Sequence, residues 1–108
     1  MLSPTHEEAA KRLERLADRL RVVGPRLGAR QGAEAAELLA RIRAGLQRIA
    51  DLTADADGEP RREVPVLSAY ALADQALVLG HDLLRDGDRT DLFRVEAVAA
   101  LQDVHDLV

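Results

Sequence analysis

The chain has 108 residues, no cysteine and a net charge of −4 at pH 7. Its length suits one domain with one modest core, and an apolar fraction of 47% excludes a disordered chain. The lack of cysteine excludes a disulfide framework, a thiolate nucleophile and a sulfur-ligated metal. The negative charge gives no general attraction to nucleic acid or anionic lipid.

Two further features of the composition bear on ligands and location. Tyr70 and Phe93 are the only aromatic residues, so the chain offers no stacking platform for bases or flat cofactors, and we expect no cofactor. The N-terminal residues MLSPTHEEAAKR lack the apolar region of a signal peptide. The expected location is therefore the cytoplasm.

The first predicted element is a helix whose start is indicated by Ser3-Pro4 and by Thr5, which together offer a capping hydroxyl and a proline in the first turn. Glu8 follows Thr5 at the spacing of a capping box, in which each side chain bonds the other residue's backbone amide. We expect Gly24-Pro25 to end or kink this helix near Val23, because Pro25 lacks an amide donor and crowds the preceding turn. The apolar residues that recur at steps of three and four, as in a bundle seam, are Ala9, Leu13, Leu16, Leu20, Val23 and Leu27.

A second helix is predicted from about Ala33 to Leu52, after a loop that contains Gly28 and Gly32. Its apolar residues again follow a helical period, at Ala35, Leu39, Ile42, Leu46 and Ile49. Residues 53–63, TADADGEPRRE, are small, polar and charged and include a glycine and a proline. This composition predicts an exposed linker.

The third predicted helix, from about Val64 to Arg85, is the most apolar part of the chain. It is apolar around most of its circumference, which is typical of a buried helix. A membrane span is disfavoured, because Asp74 would lie near mid-bilayer at a cost of roughly 2.5–3.5 kcal/mol. We expect the other three helices to leave part of this helix uncovered and a second copy of the chain to bury it. The interface residues predicted on this ground are Val66, Tyr70, Ala71, Leu77, Val78 and Leu84.

The fourth helix is predicted from about Asp91 to the end of the chain, after a turn with Gly87 and with Asp88 or Thr90 as the cap. Four helices joined by short connections indicate an all-α domain, an antiparallel four-helix bundle. The domain spans residues 1–108, with hairpins over 1–52 and 64–108.

The two halves of the chain carry similar sequence blocks. Leu16-Ala17-Asp18 recurs as Leu72-Ala73-Asp74, and Val22, Gly24 and Leu27 recur as Val78, Gly80 and Leu83, at an offset of 56. A second block, Leu46-Gln47 with Ile49, recurs as Leu101-Gln102 with Val104 at an offset of 55. Either Leu- and Ala-rich helices match by chance, or a helical hairpin is duplicated. Duplication predicts two hairpins related by a pseudo-twofold axis.

Histidine provides one candidate for chemistry. The string His81-Asp82-Leu83-Leu84-Arg85-Asp86-Gly87 resembles the phosphoacceptor segment of histidine phosphotransfer domains, with Leu84 and Arg85 where those domains carry Lys and Gly. The resemblance implies phosphotransfer through His81; the alternative is an exposed histidine at the rim of a core helix. His81 and His105 should lie on the order of 18 Å apart in an up-down bundle, so no metal site is predicted, although His6 and His105 are expected at one end.

Arginine provides another candidate. Arg12, Arg15 and Arg19 share one flank of helix 1, a basic face that could follow phosphate groups. Interleaved Glu14 and Asp18 neutralise much of this charge by helical pairing, so nucleic-acid binding is the less favoured interpretation. Residues 1–50 carry a net charge of +4 and residues 51–108 a net charge of −8.

No catalytic residue is predicted. Ser68 lacks a base at a suitable spacing, and Asp18 and Asp74 could form a carboxylate pair only if the pseudo-axis brought them face to face. We therefore expect a non-enzymatic protein that acts through protein–protein contact, as a homodimer through helix 3 or with an unidentified protein partner. A histidine phosphotransfer module and a nucleic-acid-associated regulator are the alternatives.

Overall fold

The computed structural model describes residues 5–85 and 90–108. It contains four α-helices, α1 (His6–Ala29), α2 (Ala33–Asp57), α3 (Leu72–Leu83) and α4 (Asp91–Leu107), with one 3-10 turn, Ala69–Ala71, directly before α3. The helices pack into a compact four-helix bundle. The predicted all-α fold is therefore confirmed.

Helix α1 begins as predicted but continues further. Thr5 and Glu8 form the expected capping box: the Glu8 amide donates to Thr5 Oγ1 over 3.1 Å, and the Thr5 amide donates to Glu8 Oε2 over 3.3 Å. The expectation that Pro25 would end or kink the helix near Val23 is wrong, since α1 continues to Ala29. Proline removes one hydrogen bond, but the turn that follows it buries Leu27 in the core.

Helix α2 is longer than its apolar pattern suggests. It continues past Leu52 to Asp57 and ends at Gly58, whose φ of +67° is left-handed. The Glu59 amide then donates to the Ala54 carbonyl, and the Gly58 amide to the Asp55 carbonyl. These two bonds form a Schellman cap, which favours glycine at this position. Residues 53–57 are thus helical rather than part of the linker.

Residues 58–68, which we call the strap, run extended along α2. The predicted start of helix 3 near Val64 is wrong, because the helical turns begin only at Ala69. Pro65 explains the difference: it has no amide to donate, and its ring disfavours helical geometry at Val64. Helix α4 begins where predicted, with the Phe93 amide donating to Oγ1 of Thr90 over 3.1 Å. The predicted turn at Gly87 lies outside the described residues.

The two helices of each half of the chain, α1 with α2 and α3 with α4, lie diagonally across the bundle. In the described part of the chain, α1 has little contact with α2 and α3 has little with α4, whereas α1 and α2 each pack along both α3 and α4. Every extensive helix contact therefore joins the first half of the chain (α1 and α2) to the second half (α3 and α4).

Polar contacts establish the helix directions. Arg12 donates to Gln102, and Arg19 donates to the carbonyl of Val108 over 2.7 Å, so α1 and α4 run parallel. Because the strap returns the chain to the starting end of α2, α2 and α3 are parallel as well. The two helices of each half, α1 with α2 and α3 with α4, run in opposite directions.

The contact between α1 and α3 follows the pseudo-twofold that the repeat predicts. A Cβ on Gly24 would lie 2.5 Å from the Ala69 carbonyl oxygen, and a Cβ on Gly80 would clash with the side chain of Leu13. At the offset of 56, Gly24 corresponds to Gly80 and Leu13 to Ala69, so each contact maps onto the other. The sequence repeat thus describes two halves that interlock, rather than two separately packed hairpins.

Candidate interaction face

The interface residues predicted from the sequence occupy the outer side of α3 and the segment before it. Val66, Tyr70 and Val78 are 71%, 64% and 63% exposed, whereas Ala71 and Leu77 are half-buried. Leu84 is half-buried next to the C-terminus of α3 and packs against the core. The structure does not bring the three exposed side chains together: Val78 faces outward beside the strap, Val66 lies toward α2, and Tyr70 lies over Gly28 of α1.

A groove of about 410 Å³ lies between the strap and α3, on the side of α3 that carries Val78. Its apolar lining residues are Val64, Pro65, Leu67, Ala71, Val78 and Leu79. Asp74 and Gln75 complete the lining, and Gln75 Nε2 donates to the Pro65 carbonyl over 2.9 Å. We call this groove the apolar face; of the predicted interface residues, its lining includes Ala71 and Val78.

The strap half of the apolar face is held in place by side chains of α2. Gln47 accepts from the Val64 amide over 2.8 Å and donates to the Arg62 carbonyl over 2.9 Å. Arg43 donates to the carbonyl of Leu67. Arg43 Nε is buried without a hydrogen-bond partner in the described part of the chain. The apolar side chains of the strap therefore point outward from a backbone that polar groups of α2 fix.

The start of the strap carries an exposed ion-pair cluster. Arg61 Nε and Nη2 donate to the two carboxylate oxygens of Asp55 over 3.0 and 2.7 Å. Arg61 Nη1 also lies 3.8 Å from Asp51 Oδ2. The hydrogen bonds from Arg61, helped by its charge, lower the pKa of Asp55 below its usual value of 3.8. This cluster joins the strap to the last turns of α2.

The histidines do not come together in the bundle. His81 is exposed in the last turn of α3. A phosphoacceptor histidine must be accessible in this way to its phosphodonor. The expectation that His6 and His105 lie at one end of the bundle is wrong, because α1 and α4 run parallel and His105 lies at the far end of α4. The described residues contain no cluster of three potential metal ligands.

The arginines of the predicted basic face have mixed surroundings. Arg12 and Arg19 hold the seam between α1 and α4 through Gln102 and the carbonyl of Val108. Arg15 is exposed on the same helix. Two of the three arginines therefore have structural contacts within the bundle.

Asp18 and Asp74 do not form a buried carboxylate pair. Both are exposed, and Asp18 instead pairs with Arg21 over 2.5 Å. Asp18 therefore lies on the charged flank of α1, and Asp74 lies at the edge of the apolar groove.

The contribution of the strap to the groove was not predicted from the sequence. Leu67 and Pro65 line the groove although neither was among the predicted interface residues. The signal was present in Pro65, which excludes a helix through Val64 and so allows neighbouring apolar side chains to face outward. Leu92 and Val95 of α4 are also exposed.

Comparisons with known proteins leave the site as the only guide to function. No helix in the described residues has the length and apolarity required to cross a bilayer. No protein-family model, curated protein or solved structure matches the chain.

Proposed function

We propose that the protein acts through protein–protein contact and forms a homodimer through the apolar face. The observation that carries this proposal is an apolar groove between the strap and α3 whose lining includes Leu67 and Val78, two large apolar side chains that are 47% and 63% exposed. Exposed apolar residues are ordinary when scattered singly, but a contiguous patch is typical of an interaction site.

The scarcity of charge on the apolar face supports an interface. Residues 64–80 contain a single charged residue, Asp74, in a chain that is 31% charged. Charged groups are depleted at the centres of protein interfaces, because burial removes their hydration. The same stretch is therefore suited to contact with another protein rather than with water.

A second copy suits this face because the face carries both protrusions and a hollow. In a twofold dimer each residue contacts a partner residue that receives the reciprocal contact, so the surface must be self-complementary. Leu67 and Val78 are exposed at a groove of about 410 Å³, so these side chains of one copy can fill the groove of the other. The expected place of action is the cytoplasm.

Substitution at Val78 tests the proposal, and Val22 provides a matched control. Val22 occupies the corresponding position in α1 and is 45% exposed, but it is surrounded by charged residues of that helix. At tens of micromolar, the unmodified chain and Val22→Asp should have twice the chain mass of 11.8 kDa in light scattering. Val78→Asp should have the mass of one chain, because dimer formation would bury its charge.

Two results would contradict the proposal. One is a mass of one chain for the unmodified protein at these concentrations, and the other is an unchanged dimer in folded Val78→Asp. Circular dichroism of each variant confirms that its helix content is retained.

Phosphotransfer through His81 is a second candidate, supported by the exposure of this side chain at the end of α3. Incubation with a small phosphodonor should then yield acid-labile label on the unmodified chain and none on His81→Gln. The alternative, a histidine exposed at the rim of a core helix without phosphotransfer activity, gives no label on either protein.

A further inference from the structure

Among the described residues that line the apolar face, Asp74 is the one with an ionisable side chain. It lies three residues after Ala71 and four before Val78, so these three side chains follow one another along the same side of the helix. In the free chain Asp74 is exposed, and water hydrates its carboxylate. A second copy that covers Ala71 and Val78 also covers Asp74.

A charged carboxylate is unfavourable in such a contact. The other described lining residues are apolar apart from Gln75, and none of them is an arginine, lysine or histidine. The side-chain amide of Gln75 already donates to the Pro65 carbonyl. A second copy that binds through the same face brings the same lining and a second Asp74. Loss of hydration and the approach of a like charge both oppose the charged form, and a proton on each carboxylate removes both effects.

The charged side chains of α3 and of the strap lie outside the groove. His81 and Asp82 are exposed in the last turn of α3. Arg62 of the strap lines a different hollow together with Asp82, and Glu63 lines a third hollow, between the strap and α2. The charge of Arg62 is thus balanced by two carboxylates, and these two elements carry no excess positive charge beside the groove.

Arginines of the two helices packed against α3 have other partners at this level. Helix α1 runs antiparallel to α3 and carries Asp18 and Arg21 at the level of Asp74, where they pair with each other over 2.5 Å. On α2, Arg43 donates to the carbonyl of Leu67. The partial positive charge at the start of α3 favours the charged carboxylate, but this effect is weaker than the loss of hydration on burial.

We propose that protonation of Asp74 regulates the association of two copies through the apolar face. Each carboxylate takes up one proton from solvent as the two faces meet, so the dimer holds more protons than two free chains. Association therefore becomes tighter as the pH falls and weaker as the pH rises. The inference rests on the proposed function and names the regulation of the same face.

The test is Asp74→Asn, because the amide has nearly the shape of the carboxylic acid and carries no charge. Asp18→Asn is the matched control, since Asp18 holds the corresponding position in the repeat and is exposed on α1. Analytical ultracentrifugation gives the dimer dissociation constant of each chain at about pH 5 and about pH 7. For the unmodified chain and Asp18→Asn this constant should rise roughly ten- to hundredfold between the two pH values. For Asp74→Asn it should be nearly the same at both, and at about pH 7 at least roughly tenfold lower than for the unmodified chain.

Histidines also titrate in this range, so His81→Gln serves as a second control. This variant keeps Asp74 and should keep the pH dependence. Calorimetric dilution of His81→Gln dimers, in two buffers with different ionisation enthalpies, counts the protons released on dissociation. We expect about one to two protons per dimer near pH 6. This measurement leaves Asp74 unchanged, so it holds even if Asp74→Asn loses its helix content in circular dichroism.

The outcomes separate this inference from the proposed function. A dimer whose dissociation constant does not change with pH, or a weaker dimer in Asp74→Asn, would overturn the inference and leave the dimer established. Loss of the pH dependence in His81→Gln would also overturn it, by assigning the effect to the histidine. The mass of one chain for the unmodified protein and for Asp74→Asn at both pH values would instead contradict the proposed function, and this inference with it.

Discussion

Helices α1 and α3 have similar sides facing the core and different sides facing outward. Leu16 and Leu72 are both buried at corresponding positions, and Gly24 and Gly80 both allow close contact between these two helices. The outer side of α1 carries arginines and carboxylates, whereas α3 faces outward with Val78 above an apolar groove. The shared inner pattern accounts for the fold, and the difference outside identifies the surface on which a function can depend.

The largest effect is expected where the two helices touch. In a helix interior, alanine in place of glycine gains roughly 1 kcal/mol, but at Gly24 the new Cβ would meet the Ala69 carbonyl oxygen at 2.5 Å. A backbone carbonyl moves little, so Gly24→Ala should lose about 1–3 kcal/mol of unfolding free energy in urea. Gly80→Ala should lose less, because its Cβ meets the mobile end of Leu13.

A loss for Gly80→Ala as large as that for Gly24→Ala would show that the two contacts are equally rigid. If neither substitution lowers the unfolding free energy, the pseudo-twofold contact between α1 and α3 is not tight, and the structural comparison fails.

The next effect concerns the strap, the non-helical segment that leads into α3. Gln47→Leu removes the bonds to the Val64 amide and the Arg62 carbonyl and should cost about 1–3 kcal/mol. Hydrogen exchange at the Val64 amide should become faster. Arg41→Ala on the same helix breaks only an exposed pair with Glu37 and is the control. Unchanged exchange at Val64 in Gln47→Leu would mean that other contacts hold the strap.

The sequence predicts the inner side of the bundle well, because a helical period of apolar residues is a local signal. It correctly indicates four helices, the Thr5 cap of α1 and the start of α4 at Asp91. It could not reveal that the two helices of each half lie diagonally, since that arrangement depends on which apolar stripes meet in space. The strap was misassigned because apolar composition outweighed the single signal of Pro65.

The candidate site was predicted in part. Val66, Tyr70 and Val78 were correctly expected to be apolar side chains that the bundle leaves uncovered. Ala71, Leu77 and Leu84 are half-buried, and Leu77 and Leu84 pack against the core. The dimer itself stays a prediction.

A smaller difference is expected at the starts of the two helices. Thr5→Ala removes a capping box from α1 and should lower the unfolding free energy by about 1 kcal/mol. Ser68, which precedes the turn before α3, makes no capping hydrogen bond with its side chain. Ser68→Ala should therefore leave the urea midpoint within error of the unmodified chain, and a loss equal to that of Thr5→Ala would contradict the assigned caps.

The smallest effect is a pH dependence at the base of the strap. Because Arg61 lowers the pKa of Asp55 in the folded chain, this carboxylate stabilises the fold above the unfolded-state pKa of about 3.9. The contribution is lost as the pH falls through the lowered pKa. Asp55→Asn should therefore reduce stability at neutral pH but not at the lowest pH where the chain stays folded. An equal loss at both pH values would assign the effect to packing instead.

The most direct test of the central claim is the behaviour of two valines on dilution. Methyl NMR spectra of the unmodified chain, recorded from hundreds of micromolar down to a few micromolar, report the surroundings of Val78 on α3 and of Val22 on α1 in one sample. Burial of the apolar face between copies predicts that the Val78 methyl signals shift with concentration while the Val22 signals stay constant. Constant Val78 signals over this range, or equal shifts at both valines, would contradict the claim.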